Sequence, residues 1–171
     1  ASATNSAGSQ RVTGGSKIVT AVSTRGQILF LTDTSAHGMS FIGAPFTFGF
    51  QKLGTNCGAV SPHCAVDISG IIYWMSSDGF YMFDGTVRKM PCSVEDFVFD
   101  NIDTTQLEQV YAGSNSAFGE VIWFYCSTAS NQIDRYVIFN YQEKLWYTGS
   151  LDRSTWIDSG TYPLRYATEY D

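Results

Sequence analysis

Short runs of β-forming residues alternate with tight turns along most of this chain. Residues 71–75, 80–83 and 86–90 are rich in the β-branched and aromatic residues that favour strands. The breaks between them are residues 77–79 and the pair Asp84-Gly85. An Asp-Gly pair favours the two-residue turn whose twist matches the strands that it joins. The segment therefore predicts three antiparallel strands in a meander.

The same layout recurs upstream and downstream. Three apolar strands, each preceded by a glycine-led turn, contain Ile28, Ile72 and Val121 at equivalent positions. By subtraction, these positions are 44 and 49 residues apart. Repeats of roughly 40 to 50 residues with four strands each are typical of propeller blades. The predicted fold class is therefore all-β, with consecutive four-stranded antiparallel meanders as blades of a partial β-propeller.

The repeat predicts three blades, at residues 17–51, 63–90 and 109–149. Residues 1–16 are small and polar, with too little apolar surface to order themselves, so we expect a flexible arm or linker. Residues 159–171 are expected to form a tail or to start a further strand. The strands predicted within the blades are residues 17–22, 27–32, 39–42 and 46–51, then 63–68, 71–75, 80–83 and 86–90, then 109–113, 120–126, 134–140 and 145–149.

Short helical turns are predicted between the second and third blades. Ser93 and Asp96 have the spacing of a capping box, which predicts a helix over residues 93–99. A second brief helix is predicted over residues 104–108, and a further strand opens at residues 155–158.

Three blades do not ordinarily close a ring, because propellers have about four blades or more and closure protects the sheet edges. Either the rest of a longer chain or further copies of this chain must supply the missing blades. The polar start and the abrupt end of the sequence favour the first alternative.

The composition favours sheets that are covered on both faces. Aromatic and charged residues each make up 15% of the chain, whereas soluble domains carry about 25% charged residues. The formal net charge of −6 argues against a phosphate-binding surface, because affinity for nucleic acids comes mainly from Lys and Arg. An acidic wall instead suits a conduit through which DNA passes transiently and without specificity. No stretch approaches the ~20 apolar residues of a membrane span, so no span is expected.

No catalytic, cofactor-binding or metal-binding residue is predicted. Asp96, Asp100 and Asp103 belong to the most carboxylate-dense stretch, but it lacks the glycine and the alternating ligands of a calcium loop. Helix capping and a solvated rim are the expected roles of these side chains. A glycosidase would need two carboxylates at a defined separation, which the sequence does not establish.

The cysteines and histidines leave alternatives open. Cys57 and Cys64 flank a short loop and form either a disulfide or two free, partly buried thiols. A zinc site that adds His63 to these two cysteines lacks a fourth ligand.

A Ser-His-Asp triad could be built from His37 with Ser35 or Ser40, but both serines have a simpler explanation in a turn or a strand.

The aromatic residues are the best candidates for function. They could stack on sugar rings or on DNA bases, or they could fill the space between blades, where large flat side chains dominate the packing energy. Alternation would place Tyr73 and Trp74 on opposite faces of one strand, so both faces of that sheet are expected to be buried. The candidates are Tyr73, Trp74, Tyr81, Trp123, Tyr125, Tyr141, Trp146 and Tyr147.

Several stretches also resemble segments of virion structural proteins from tailed bacteriophages. The likeness extends over residues 15–158, and the relatives that it suggests are the propeller-bearing tail nozzle proteins of short-tailed phages, also called tail tubular or DNA-stabilisation proteins. The residues that carry it are 32–35, 41–50, 73–75, 99–106, 123–125 and 134–141.

The resemblance implies a non-enzymatic part of a hexameric tail tube that retains the genome and conducts it during ejection. It implies location in the virion, and contacts with other tail proteins and with copies of the chain itself or the rest of a longer chain. Members of that family are much longer than 171 residues. The family has no catalytic residues to carry over.

Two other function classes remain open at this point. The first is a propeller-type module that binds glycans or a host receptor through exposed Trp and Tyr. The second is a fragment of a hydrolase that uses the carboxylates near Asp100.

Overall fold

The computed structural model describes residues 9–151, 155–158 and 166–168. Within these residues the chain is all-β apart from two short helices, and three four-stranded antiparallel meanders follow one another, which confirms the predicted fold class. Sheet 1 contains β1 (Ile18–Thr24), β2 (Gln27–Thr32), β3 (Ser35–Phe41) and β4 (Phe48–Thr55). Sheet 2 contains β5 (Ala65–Ile68), β6 (Ile71–Ser76), β7 (Gly79–Phe83) and β8 (Val87–Lys89). Sheet 3 contains β9 (Tyr111–Asn115), β10 (Glu120–Tyr125), β11 (Arg135–Asn140) and β12 (Leu145–Ser150).

The second half of sheet 1 differs from the prediction. Strand β3 begins at Ser35 rather than at residue 39, and β4 ends at Thr55 rather than at residue 51. The side-chain oxygen of Thr32 accepts a hydrogen bond from the backbone N–H of Ser35 at 2.8 Å, which closes a tight turn directly after β2. The start of β3 contains weak β-formers, but it pairs with β2 on one side and β4 on the other. Tertiary pairing therefore overrides the low local propensity.

The predicted two-residue turn at Asp84-Gly85 is wrong. Three residues join β7 to β8, and only Gly85 has a positive φ, of 118°. The two-residue turn with two positive φ angles instead joins β5 to β6, at Ser69 (56°) and Gly70 (91°). This is the primed geometry that matches the twist of hairpin strands.

The helix between sheets 2 and 3 starts later than predicted. Helix α1 spans Glu95–Asn101 and begins after Val94, with no side-chain cap, so the capping box proposed for Ser93 is wrong. The 3-10 helix Leu107–Gln109 follows a turn in which Asp103 accepts hydrogen bonds from the backbone N–H and the hydroxyl of Thr105, at 2.8 and 2.7 Å. That carboxylate therefore closes a local turn, but it does not cap the helix, which has no side-chain cap.

The sheets stack side by side in chain order. The first strands of consecutive sheets are neighbours, so β1 lies beside β5 and β5 lies beside β9. The backbone N–H of Ala112 donates to the carbonyl of His63 at 2.7 Å, which ties sheet 3 to the segment that leads into sheet 2. One continuous apolar core runs from sheet 1 through sheet 2 to the near side of sheet 3, as expected for stacked propeller blades.

A fourth sheet begins after sheet 3. Strand β13 (Thr155–Ile157), which starts where a further strand was predicted, lies beside β9 and pairs with β14 (Tyr166–Thr168). The other parts of the expected segment 159–171 lie outside the described residues, as do residues 1–8 of the expected arm. In the described part of the chain, no helix is long and apolar enough to cross a membrane.

Candidate functional site

Phe30, Trp74 and Trp123 occupy equivalent positions on the second strands of sheets 1, 2 and 3. They lie two residues after Ile28, Ile72 and Val121, respectively, which are the equivalent positions of the repeat. Each also lies opposite an alanine of the first strand of its own sheet. We call the face that carries these three aromatic residues the leading face of each sheet, and the opposite face the trailing face. The register pairs are Ala21 with Phe30, Ala65 with Trp74 and Ala112 with Trp123.

The trailing face of each complete sheet packs against the leading face of the next. Phe80, on the trailing face of sheet 2, lies 4.8 Å from Trp123 and 4.8 Å from Trp146 between ring centroids. Tyr73 on the same trailing face lies 6.1 Å from Phe139 of sheet 3. These rings are tilted rather than stacked face to face, which is a favoured arrangement of aromatic pairs. The chain therefore has a direction, with leading against trailing at each junction.

A tryptophan at each junction also donates a hydrogen bond to the backbone of the preceding unit. A buried indole N–H needs such an acceptor, because an unpaired donor would carry the full cost of its desolvation. The three bonds run from Trp74 to the Cys57 carbonyl at 2.8 Å, from Trp123 to the Cys64 carbonyl at 3.0 Å, and from Trp156 of β13 to the Ser114 carbonyl at 2.7 Å.

Most of the aromatic candidates lie inside this stack. Tyr141 is half-buried, and Tyr147 on the trailing face of sheet 3 is 44% exposed. Burial raises the pKa of Tyr125 to about 12, as expected for a hydroxyl enclosed between sheets. Tyr73 and Trp74 are both buried although they point to opposite faces of β6. The buried candidates are Tyr73, Trp74, Tyr81, Trp123, Tyr125 and Trp146.

The leading face of sheet 1 differs from its two counterparts because none of the described sheets covers it. Ile28 is 36% exposed there, whereas its equivalents Ile72 and Val121 are fully buried. On the same face, Phe41 and Phe48 form an edge-to-face pair with centroids 6.2 Å apart, and both are more than half exposed. This contiguous apolar surface is the most prominent candidate site of the described residues. Its members are Ile28, Phe41, Phe48 and Phe50, and we call it the first-sheet surface.

The segment before β1 covers the neighbouring part of the same face. Residues 10–13 line a small cavity with Phe30, His37 and Phe50. Phe30 and His37 are buried there, although Phe30 is not part of the apolar core that connects the sheets. The carbonyl of Gly14 accepts a hydrogen bond from Ser35 at 3.1 Å. The arm thus occupies the part of the leading face nearest His37, reaches the edge of the first-sheet surface at Phe50, and leaves Ile28, Phe41 and Phe48 open.

A groove of about 520 Å³ lies where the outer edges of sheets 2 and 3 meet. Tyr73 and Phe139 form part of its apolar wall. Charged groups stand at its mouth, where Arg88 pairs with Asp84 and the ammonium of Lys144 lies 5.7 Å from the centroid of the Phe139 ring. This combination of aromatic walls and polar groups is a second candidate for ligand binding.

The structure brings His37 close to one of the two serines considered for a triad. Its Nε2 lies 2.9 Å from the Ser35 hydroxyl, and its ring stacks on Phe30 with centroids 5.2 Å apart. Burial, and to a lesser extent the charge of Lys52, lower the pKa of His37. No carboxylate among the described residues forms a hydrogen bond with His37, so these residues do not assemble a Ser-His-Asp arrangement.

The cysteines of the chain are free thiols. Cys57 and Cys64 are both buried and do not form the disulfide that the sequence left open. Burial raises the pKa of both thiols, which lowers their reactivity. Across the residues that the structure describes, no group of three or more His, Cys, Asp or Glu side chains has the arrangement of a metal site.

Reasoning from the sequence missed the first-sheet surface. The available signal was the alternation of Phe46, Phe48 and Phe50 with small or polar residues, since alternate residues of a strand share one face.

The comparisons with known proteins add no assignment, because no family model and no curated protein matches the chain.

Proposed function

We propose that the chain is a structural component of a bacteriophage tail, a part of a propeller in the tail nozzle or tail tube. It acts by packing against neighbouring subunits and presents an acidic surface of low adhesion to the genome, which is retained and then passes during ejection. The observation that carries the proposal is the directional stack of meanders, whose first sheet exposes an apolar face to a further partner.

The positions of the phage-like stretches support this proposal. Residues 73–75 belong to β6 and residues 123–125 to β10, and the side chains of both are buried between sheets. Residues 134–141 include β11, which pairs with β10 along its length. These three of the six stretches therefore fall on residues that build the stack, as expected for a likeness of architecture, whereas residues 41–50 lie at the exposed end of sheet 1.

The charge distribution supports the low-adhesion part of the proposal. The chain has 16 acidic and 10 basic residues. Several of the basic groups are already paired with carboxylates, as Lys17 is with Glu108 and Lys89 is with Glu95. Affinity for DNA requires cations that displace counterions from phosphates, and the net charge of −6 opposes such binding.

The proposal is tested first by locating the chain in particles. Antibodies raised against the folded chain should label the tails of gradient-purified virions from the source culture, and mass spectrometry should detect its peptides in those particles. Label on heads only, or no peptides in purified particles, would remove the tail assignment.

A mobility-shift titration tests the acidic surface. At about 150 mM salt the chain should not retard double-stranded DNA up to about 100 μM protein, because even non-specific binders have dissociation constants of roughly 1–100 μM. A charge-reversed variant, Glu120→Lys with Glu143→Lys, serves as the comparison. Retardation by the unaltered chain at micromolar concentration would contradict a weakly adhesive wall.

The groove between sheets 2 and 3 favours a second candidate function, a propeller-type module that binds glycans or a host receptor. Ile71 and Met82, which are partly exposed, would supply an apolar contact surface, and Arg88 and Lys144 would supply hydrogen-bond donors. A glycan array followed by titration tests this candidate. Binding that is lost in Lys144→Ala would support it, whereas no binding at millimolar sugar would remove it.

A further inference from the structure

We propose that the first-sheet surface is an interface between two copies of this chain, which join leading face to trailing face and close a ring of sheets about one axis. This inference uses only the geometry of the stack and does not depend on the phage-tail proposal. Its occupant is the far end of a second copy, where the fourth sheet begins.

A comparison of equivalent residues in sheets 1 and 3 shows that the first-sheet surface lacks a packing partner. Phe50 pairs with Met39 on the leading face of sheet 1 as Trp146 pairs with Phe139 on the leading face of sheet 3. Trp146 is only 9% exposed, because Phe80 from the trailing face of sheet 2 lies against it. Phe50 is 46% exposed. The position is therefore built like an internal junction from which one partner is missing.

The other end of the stack presents a matching surface. In β13, Trp156 points back to sheet 3, where it packs with Phe124 and donates its hydrogen bond to Ser114. Alternation then places Ile157 on the trailing face of the fourth sheet, opposite Tyr166, and both side chains are more than half exposed. One end of the stack thus exposes an apolar leading face, and the other exposes a trailing face on which Ile157 and Tyr166 lie beside the hydroxyl pair of Thr155 and Thr168.

Two such ends make a head-to-tail contact, which produces either a closed ring or an open filament. The described residues of each copy form three complete sheets and the start of a fourth. Propellers have about four to eight blades, so two copies, with six to eight sheets, fall within this range and three copies exceed it. The expected assembly is therefore a dimer in which each copy contributes both faces.

The arm before β1 is compatible with this contact. Residues 10–13 line a cavity with Phe30, His37 and one side of Phe50, which is still 46% exposed, whereas Phe41 and Phe48 lie towards the opposite end of the sheet and remain open. In the ring, these arm residues would be enclosed beside the second copy.

Sedimentation equilibrium from about 0.5 to 100 μM tests the inference with three variants. Phe48→Asp charges the leading face, Ile157→Asp charges the trailing face, and Phe97→Asp is the control because Phe97 is 57% exposed on α1, away from both ends. We expect a dimer for the unaltered chain. Each interface variant should raise the dissociation constant at least about 100-fold, since a charge would be buried in both contacts of the ring. The control should leave the constant unchanged.

Circular dichroism and the unfolding midpoint establish that each variant is folded, which is expected because all three sites are exposed. A folded chain that stays monomeric at 100 μM would overturn the inference. Loss of the dimer in Phe48→Asp but not in Ile157→Asp would overturn it in favour of two leading faces in contact. Oligomers that grow with concentration would show that the contact does not close, and this would also refute the ring.

Discussion

Phe80 is the side chain that most directly tests whether sheets 2 and 3 are held together by their aromatic faces. It is fully buried, and its ring is in contact with Trp123 and Trp146 and lies 5.7 Å from Phe99. A buried phenylalanine removes roughly 150–250 Å² from water, worth about 4–6 kcal/mol at ~25 cal/mol per Å². Alanine retains part of this area but leaves a cavity, so Phe80→Ala should lower the free energy of unfolding by about 3–5 kcal/mol.

This loss is a large fraction of the total, because a domain of this kind is stabilised by only about 5–15 kcal/mol. Urea unfolding monitored by tryptophan emission measures it, since two of the four tryptophans contact Phe80. Emission of the folded variant should also shift to longer wavelength as water or mobile side chains reach the cavity. Working below 1 μM protein keeps association from contributing to the measured stability.

The matched control is Phe97→Ala, which removes the same atoms from a ring that is mostly in water. We expect it to change the free energy of unfolding by less than about 1 kcal/mol. If Phe80→Ala cost no more than the control, the aromatic junction would not be holding the two sheets together, and the stacked-sheet interpretation of stability would be refuted.

Three further substitutions test other parts of the stack. Trp74→Phe removes the donor to the Cys57 carbonyl and should cost about 2 kcal/mol in urea unfolding, because that buried acceptor loses its partner. Gly113→Ala should cost about 1–3 kcal/mol in the same assay, since the new Cβ would lie 2.6 Å from the indole of Trp156. The fold lowers the pKa of His37, so below about pH 6.5 the unfolded state binds more protons than the folded state. The free energy of unfolding therefore decreases as the pH is lowered. His37→Gln should therefore flatten the stability profile between about pH 4 and 7.

The meanders were predictable because their signals are local. Strands such as β6 and β10 are rich in β-branched and aromatic residues, and the turns beside them contain glycine at regular spacing. The start of β3 was not predictable in this way. Ala36, His37 and Gly38 are poor strand formers, and they become a strand only because β2 and β4 pair with them from both sides.

The candidate site was harder to predict for a different reason. The sequence shows which residues share a face of a strand, but not whether another sheet covers that face. Ile28 and Ile72 have the same local surroundings in the repeat, yet one is partly exposed and the other is fully buried. Their difference arises from the neighbour that each sheet has in the stack, which is tertiary information. The sequence presents the aromatic candidates as one set, although among the described residues six of them are buried and Tyr147 is 44% exposed.

The internal junctions and the first-sheet surface also differ in the kind of interaction that they offer. Trp74, Trp123 and Trp156 each add a directed hydrogen bond to an apolar contact. Phe30 occupies the equivalent position in sheet 1, and its side chain has no N–H to donate. A contact on this face would therefore draw its stability mainly from buried apolar area, with less orientation imposed by polar groups. Such a contact can form after the chain has folded. In the free subunit this face leaves no buried hydrogen-bond donor unsatisfied, because Phe30 has none.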